Sequence, residues 1–146
     1  MGKLTYDVGA PGAGFVDIFS TEGVFIKRLI TGGELNSPWG LARVTEEHFG
    51  KFNDETLLVG NFGDGHINAY NVFTGTFLGT LERRAGQPLQ FNGLWSLFFF
   101  EHKLYFTVGI VDESHGLFGS STCKSTSTPT IDRRFSSPSP LPRYRP

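Results

Sequence analysis

The sequence predicts an all-β chain built from β-propeller blades. Three observations carry that prediction: alternating apolar stretches cut by glycine turns, 19 glycines and 15 phenylalanines against one methionine, and a unit recurring at about 51 residues. Aromatic and β-branched residues suit pleated strands, and glycine clusters suit the turns between them. At 146 residues the chain has the length of one domain and can bury a core.

Residues 1–13 are weakly patterned and read as a flexible lead-in, closing on Gly9-Ala10-Pro11-Gly12-Ala13. Phe15-Val16-Asp17-Ile18-Phe19 alternates, with Val16 and Ile18 on one face and Phe15, Asp17 and Phe19 on the other. Ser20-Thr21-Glu22-Gly23 is turn chemistry, and Val24 to Ile30 resumes as a strand, making a hairpin. After a loop ending in Asn36-Ser37-Pro38, Trp39 to Val44 is the next strand, since proline is tolerated at a strand's start. Residues 45–55 are polar and too few for a helix. Leu57 to Phe62 is nearly continuous in apolar character, as when both faces are covered. A turn through Asp64-Gly65 leads into His66 to Asn71, and Phe77 to Leu81 follows Thr74-Gly75. Glu82 to Asn92 is a polar loop, Leu94 to Phe100 a strand, Glu101-His102-Lys103 a tight connection and Leu104 to Ile110 another strand. Leu117-Phe118 begins one more.

The elements repeat. Gly14-Phe15-Val16-Asp17-Ile18-Phe19 aligns with Gly65-His66-Ile67-Asn68-Ala69-Tyr70 at an offset of 51, and Gly116-Leu117-Phe118 follows at a further 51. Trp39-Gly40-Leu41 matches Trp95-Ser96-Leu97, and Leu57-Leu58-Val59 matches Leu104-Tyr105-Phe106. Four short strands in a period of roughly 40–50 residues is the pattern of a propeller blade. Residues 39–81 form one complete blade, with strands a to d near 39–44, 57–62, 66–71 and 77–81. Residues 14–119 as a whole are a partial propeller, with c and d of a preceding blade and the start of a following one. A propeller closes with about 4–8 blades, so two blade-equivalents leave inter-blade faces open and imply missing blades or self-association.

After Gly119 the composition changes: residues 120–146 hold seven Ser, four Thr, five Pro and four Arg. Such a segment buries too little to offset its ordering entropy and is expected to be a disordered tail. The change falls in mid-strand, which points to a truncated or frame-disrupted end, the alternative being a genuine basic tail. Residues 1–119 carry 8 basic and 13 acidic side chains, net −5, and residues 120–146 carry 5 and 1, net +4. The overall net charge of −1 offers nucleic acid or an anionic surface no electrostatic footing. No run of about 18 apolar residues is present to span a membrane as a helix. Met1 to Asp7 lacks the apolar core of a secretion signal, and the lone Cys123 cannot form an internal disulfide.

At Leu35-Asn36-Ser37-Pro38-Trp39-Gly40-Leu41-Ala42, Leu58-Val59-Gly60-Asn61-Phe62-Gly63-Asp64-Gly65, Gly93-Leu94-Trp95 and Asp112-Glu113-Ser114-His115-Gly116-Leu117-Phe118-Gly119 the chain resembles an uncharacterised, mostly bacterial family of NHL-like β-propellers. Some of its members carry a PEP-CTERM sorting tail. The resemblance covers about residues 9–119 and implies a propeller of about six blades, of which this chain holds a C-terminal part. It implies export for many members and brings no established activity. The stretch after Ser120 matches neither further blade strands nor a sorting signal.

In a blade the d–a and b–c connections emerge on one face. Here they are residues 31–38, 62–65, 82–93 and 109–116, and they gather Asn36, Asn61, Asp64, Asn92, Asp112, Glu113 and His115 as the ligand-face candidates. Asp112, Glu113 and His115 form the one cluster with metal-ligand character, and a hard cation such as Ca²⁺ prefers such oxygen donors. At the 51-residue offset Asp112 falls on Asn61 and His115 on Asp64. The Gly60 to Gly65 cluster precedes a strand and not a helix, so it serves a hairpin turn instead of cradling phosphate. Trp39 and Trp95, at equal points of strand a, are expected in the inter-blade core, while His48, His66 and His102 read as surface. The expected function is a non-enzymatic propeller binding or scaffold module in fragment form. The alternatives are a fragment of a metal-dependent propeller hydrolase or lactonase, and a non-functional remnant.

Overall fold

Ten strands lie along the described residues. A computed structural model describes residues 9–47, 49–83, 86–110, 114–124 and 127–131. Strands β1 (Phe15–Phe19) and β2 (Phe25–Thr31) form an antiparallel hairpin. Strands β3 (Pro38–Arg43), β4 (Thr56–Asn61), β5 (Ile67–Asn71) and β6 (Phe77–Thr80) form a four-stranded antiparallel sheet in chain order. Strands β7 (Leu94–Phe100), β8 (Lys103–Ile110), β9 (His115–Lys124) and β10 (Ser127–Ile131) form a second sheet of the same order. Among the described residues there is no helix, and hence none long and apolar enough to cross a membrane.

The sheets stack through their first strands. β3 lies against β7, and the buried side chains of Ala42, Leu58, Ile67, Ala69, Leu94 and Leu97 fill the space between the two sheets. Close approach depends on Gly40, where a Cβ would sit 3.0 Å from Leu97. On the other side of the middle sheet, Val16 and Ile30 of the hairpin pack with Leu35, Val59 and Tyr70. Four-stranded meanders stacked face to face through strand a are propeller blades, and the chain is a partial β-propeller.

The repeat is visible in the hydrogen-bond register. Ile18 pairs with Lys27 and Phe19 with Phe25, leaving Ile26 as an extra residue. Ala69 pairs with Gly79 and Tyr70 with Phe77, leaving Leu78 extra at the equivalent place. Strand a repeats a bulge as well: Pro38 and Gly40 face Asn61 and Gly60, and Leu94 and Ser96 face Val108 and Thr107, so Trp39 and Trp95 are the inserted residues. A bulge re-aims the residue it inserts and tightens local twist. Both strands also follow a left-handed residue, Ser37 at φ 50° in one blade and Gly93 at φ 75° in the next.

Strands β1 to β8 lie within a residue of the expected limits, and three features differ from expectation. The polar stretch 45–55 holds Phe49 and Phe52, which bridge to each other and are buried; Phe49 meets Phe99 edge-on at 5.1 Å. The loop after β6 buries Leu89 in the same core. The composition change after Gly119 does not end a strand. β9 pairs with β8 as far as Thr122 opposite Lys103, and β10 pairs back on β9, because ladder hydrogen bonds use backbone groups that Ser and Thr supply as well as Leu does.

Candidate functional site

The turn Asn61-Phe62-Gly63-Asp64-Gly65 is the centre around which three of the four expected loops meet. Gly65, at φ 73°, turns the chain so that its amide donates to the Asn61 carbonyl at 3.0 Å. Asp64 closes that turn by accepting the His66 amide on Oδ1 at 3.0 Å. The 31–38 loop joins from one side, with the Phe62 amide donating to Ser37 and the Gly63 amide to Asn36. The 82–93 loop joins from the other: the Gln90 side chain donates to the Asp64 carbonyl at 2.9 Å and the Phe91 amide to Gly65 at 2.9 Å.

Asn36, Asn61 and Asp64 come together at this turn. Asp64 Oδ2 lies 3.4 Å from the side-chain nitrogens of both Asn36 and Asn61. Asn61 is fully buried and also donates to the Glu34 carbonyl at 2.8 Å, where Asn68 donates at 2.7 Å. The side-chain oxygens of Asn36, Asn61 and Ser37 are buried without a hydrogen-bond partner. Beneath the loops, burial pushes the Tyr70 hydroxyl up to about 12, with the charges of Glu34 and Asp64 adding to the effect. Asp64 itself is 31% exposed, as is His66, whose Nδ1 stands 3.5 Å from its carboxylate. His66 therefore keeps part of its surface exposed while facing the Asp64 carboxylate.

Asn92 is exposed and joins none of these hydrogen bonds. His115 is exposed, with its ring Nδ1 2.9 Å from the Ser114 hydroxyl. Asp112 and Glu113 lie outside the described residues, as does His48. Among the described residues no three His, Cys, Asp or Glu side chains gather as a metal would require.

Asp112 lies outside the described residues, and the register of the strands around it gives the repeat. Strand b repeats at 47 residues, so Val108 occupies the place of Asn61 opposite the next strand, while strand c repeats at 51. The four-residue difference lengthens the second b–c hairpin, whose ladder continues through Gly109–Gly116 and Ile110–His115. His115 is thereby carried outward along the hairpin.

Beside the Asp64 turn, Trp39 meets Trp95 edge-on at 4.9 Å and Phe62 lies 5.0 Å from Trp95. This aromatic row does cross the inter-blade junction, but Trp39 is 53% exposed. It is the bulge residue of its strand, a placement that residue type alone does not reveal. His102, read as surface, is exposed and stands 3.1 Å from Glu46 at the opposite connection.

No family model matches the chain. Two proteins of Acanthamoeba polyphaga mimivirus are similar, both titled as uncharacterized: L690 at 34% identity over 79% of this chain and 31% of its own length, and R648 at 34% over 77% and 28%. The chain thus spans about a third of the length of the curated relatives it matches. Among solved structures, the PQQ-bound aldose sugar dehydrogenase of Streptomyces coelicolor is similar at 20% identity, covering 84% of this chain and 35% of that one, with a TM-score of 0.46.

Proposed function

We propose that the chain is an NHL-like propeller binding module that takes its ligand at the loop end formed by Asn36, Asn61 and Asp64, beside the row of Trp39, Phe62 and Trp95. The observation that carries this reading is the Asp64 carboxylate, part-exposed and ringed by buried amides, in a turn whose Phe62 ring meets Trp95. A carboxylate held in place by its own turn accepts hydrogen bonds from a ligand without further ordering, and an indole face offers apolar area with little conformational entropy to lose. Together they fit a small neutral ligand that presents hydroxyl donors beside a flat apolar ring.

Both tryptophans of the chain lie in this row, so intrinsic fluorescence reports on it. Titration with glucose and maltose is expected to give a saturable change that Asp64→Ala and Trp39→Ala each abolish. Titration with Ca²⁺ separates the metal-dependent hydrolase reading: a saturable calcium response lost in Asp64→Ala would favour that reading. A flat response to all three probes overturns both.

A further inference from the structure

Asn92-Gly93 is the one Asn-Gly pair in the sequence. An asparagine side-chain carbonyl lies within five-membered-ring reach of the next residue's backbone nitrogen, and a glycine at that position has no Cβ to crowd the approach. The pair forms the turn that carries the 82–93 loop into β7. Asn92 is exposed, and among the described residues neither its carboxamide nor the Gly93 amide has a hydrogen-bond partner. The electrophile and the nucleophile of a ring closure therefore stand side by side, both unoccupied.

The other five asparagines each lack one of these conditions. Asn36 is followed by the small Ser37, but the Ser37 amide donates to the Ala13 carbonyl at 2.8 Å and Asn36 is buried. The Phe62 amide after Asn61 donates to Ser37 at 2.8 Å, and the Val72 amide after Asn71 to Glu55 at 2.7 Å. Asn68 is buried with Ala69 in the ladder of the middle blade. Asn53 accepts the Glu55 amide on its side-chain oxygen at 3.2 Å, and the residue after it, Asp54, carries a side chain. A backbone nitrogen that already donates must give up its hydrogen bond before it can attack.

We propose that Asn92 is a site of spontaneous deamidation in the folded protein, with water as the co-reactant. The Gly93 amide loses its proton to hydroxide, and its nitrogen attacks the side-chain carbonyl carbon of Asn92. The new C–N bond closes a succinimide as the C–NH₂ bond breaks and ammonia leaves. Water then opens the ring at either carbonyl to give aspartate or isoaspartate, with no change of oxidation state. Both products place a carboxylate on the loop that is bonded to the Asp64 turn through Gln90 and Phe91. Isoaspartate also adds a carbon to the main chain between two anchored points, the Phe91 amide on Gly65 and the Gly93 carbonyl that accepts the Gly109 amide. Gly93 has little room to adjust, since even a Cβ on it would run into the Gly109 carbonyl. The proposal stands apart from the ligand reading, whose hydrogen bonds Asn92 does not join.

Incubation of the 146-residue chain in mildly alkaline buffer, followed by tryptic digestion and mass spectrometry, is the test. Cleavage after Arg84 and Lys103 gives a peptide in which Asn92 is the only asparagine. That peptide is expected to gain the mass of an amide-to-acid exchange before any other, in two products that separate on chromatography. Asn92→Ser, which has no side-chain carbonyl to close the ring, is expected to keep its peptide unchanged. Aged wild-type protein is expected to unfold at a lower denaturant midpoint than fresh protein, while Asn92→Asp, which adds the charge without the extra carbon, keeps the fresh midpoint. The proposal is overturned if Asn92 is intact in the folded chain when the same peptide from a chain kept in denaturant has converted. It is equally overturned if Asn36 or another asparagine converts first. An aged sample as stable as the fresh one overturns the strain assigned to isoaspartate.

Discussion

Leu41 and Leu97 hold the same position in strand a of successive blades, yet Leu97 is 5% exposed and Leu41 49%. Their local sequences, Trp39-Gly40-Leu41 and Trp95-Ser96-Leu97, are nearly alike. What differs is the neighbour. Leu97 meets a complete blade, with Gly40 opened to receive it, whereas Leu41 faces the side where the hairpin offers only strands c and d. Burial in a repeat fold is thus decided by the adjacent unit's strand a more than by the residue's own surroundings in sequence.

That contrast is most open to test at the two leucines. Leu97→Ala removes a packed side chain at a full junction and is expected to cost about 2–4 kcal/mol, while Leu41→Ala costs less than about 1 kcal/mol. Chemical denaturation of the two variants measures the difference. Equal losses would show that the half-junction buries Leu41 in solution.

A second pair compares the left-handed residues that precede strand a. A Cβ on Gly93 would run into the Gly109 carbonyl, so Gly93→Ser is expected to destabilise the second blade by about 2 kcal/mol. Ser37 already adopts φ 50°, and Ser37→Gly is expected to stabilise by roughly 0.5–1 kcal/mol by relieving that conformation and removing a buried hydroxyl without a partner. Denaturation midpoints that move in the same direction for both would break the equivalence of the two positions.

A pH-dependent effect belongs to the half-junction itself. Tyr70 packs there with Val16 and Ile30, and its ionisation is raised from 10.0 to about 12. In the unfolded chain the phenol ionises first, so the stabilising contribution of neutral Tyr70 is complete below about pH 10 and is lost as pH rises toward about 12. Thermal melts across that window are expected to show a steeper decline for the wild type than for Tyr70→Phe. Parallel profiles would place the hydroxyl in water and the hairpin off the blade.

Much of the site's location was readable in advance because turn residues announce themselves. Asp64 and Gly65 are needed by the hairpin whatever surrounds them, and the order of connections puts the Asn36 loop on the same side. Strand b repeats at 47 residues and strand c at 51 for a physical reason. Register is fixed by ladder hydrogen bonds, and an added four residues in one hairpin shift what stands opposite without disturbing the pattern of alternation. His66 was read as surface because its partner Asp64 is supplied by the turn's curvature, not by helical or strand spacing.

The sequence by itself determined the all-β class, the strand order, the blade repeat and the turn at Asp64, because each rests on local preference: alternation, glycine at left-handed positions and side chains that bond their own backbone. Only the tertiary structure decided that Trp39 and Trp95 are bulge residues, that Phe49 and Leu89 leave polar loops to enter the core, and that strand pairing runs on past Gly119. Those outcomes depend on which backbone lies opposite and on which face a neighbouring blade covers. Neither is encoded within the few residues concerned.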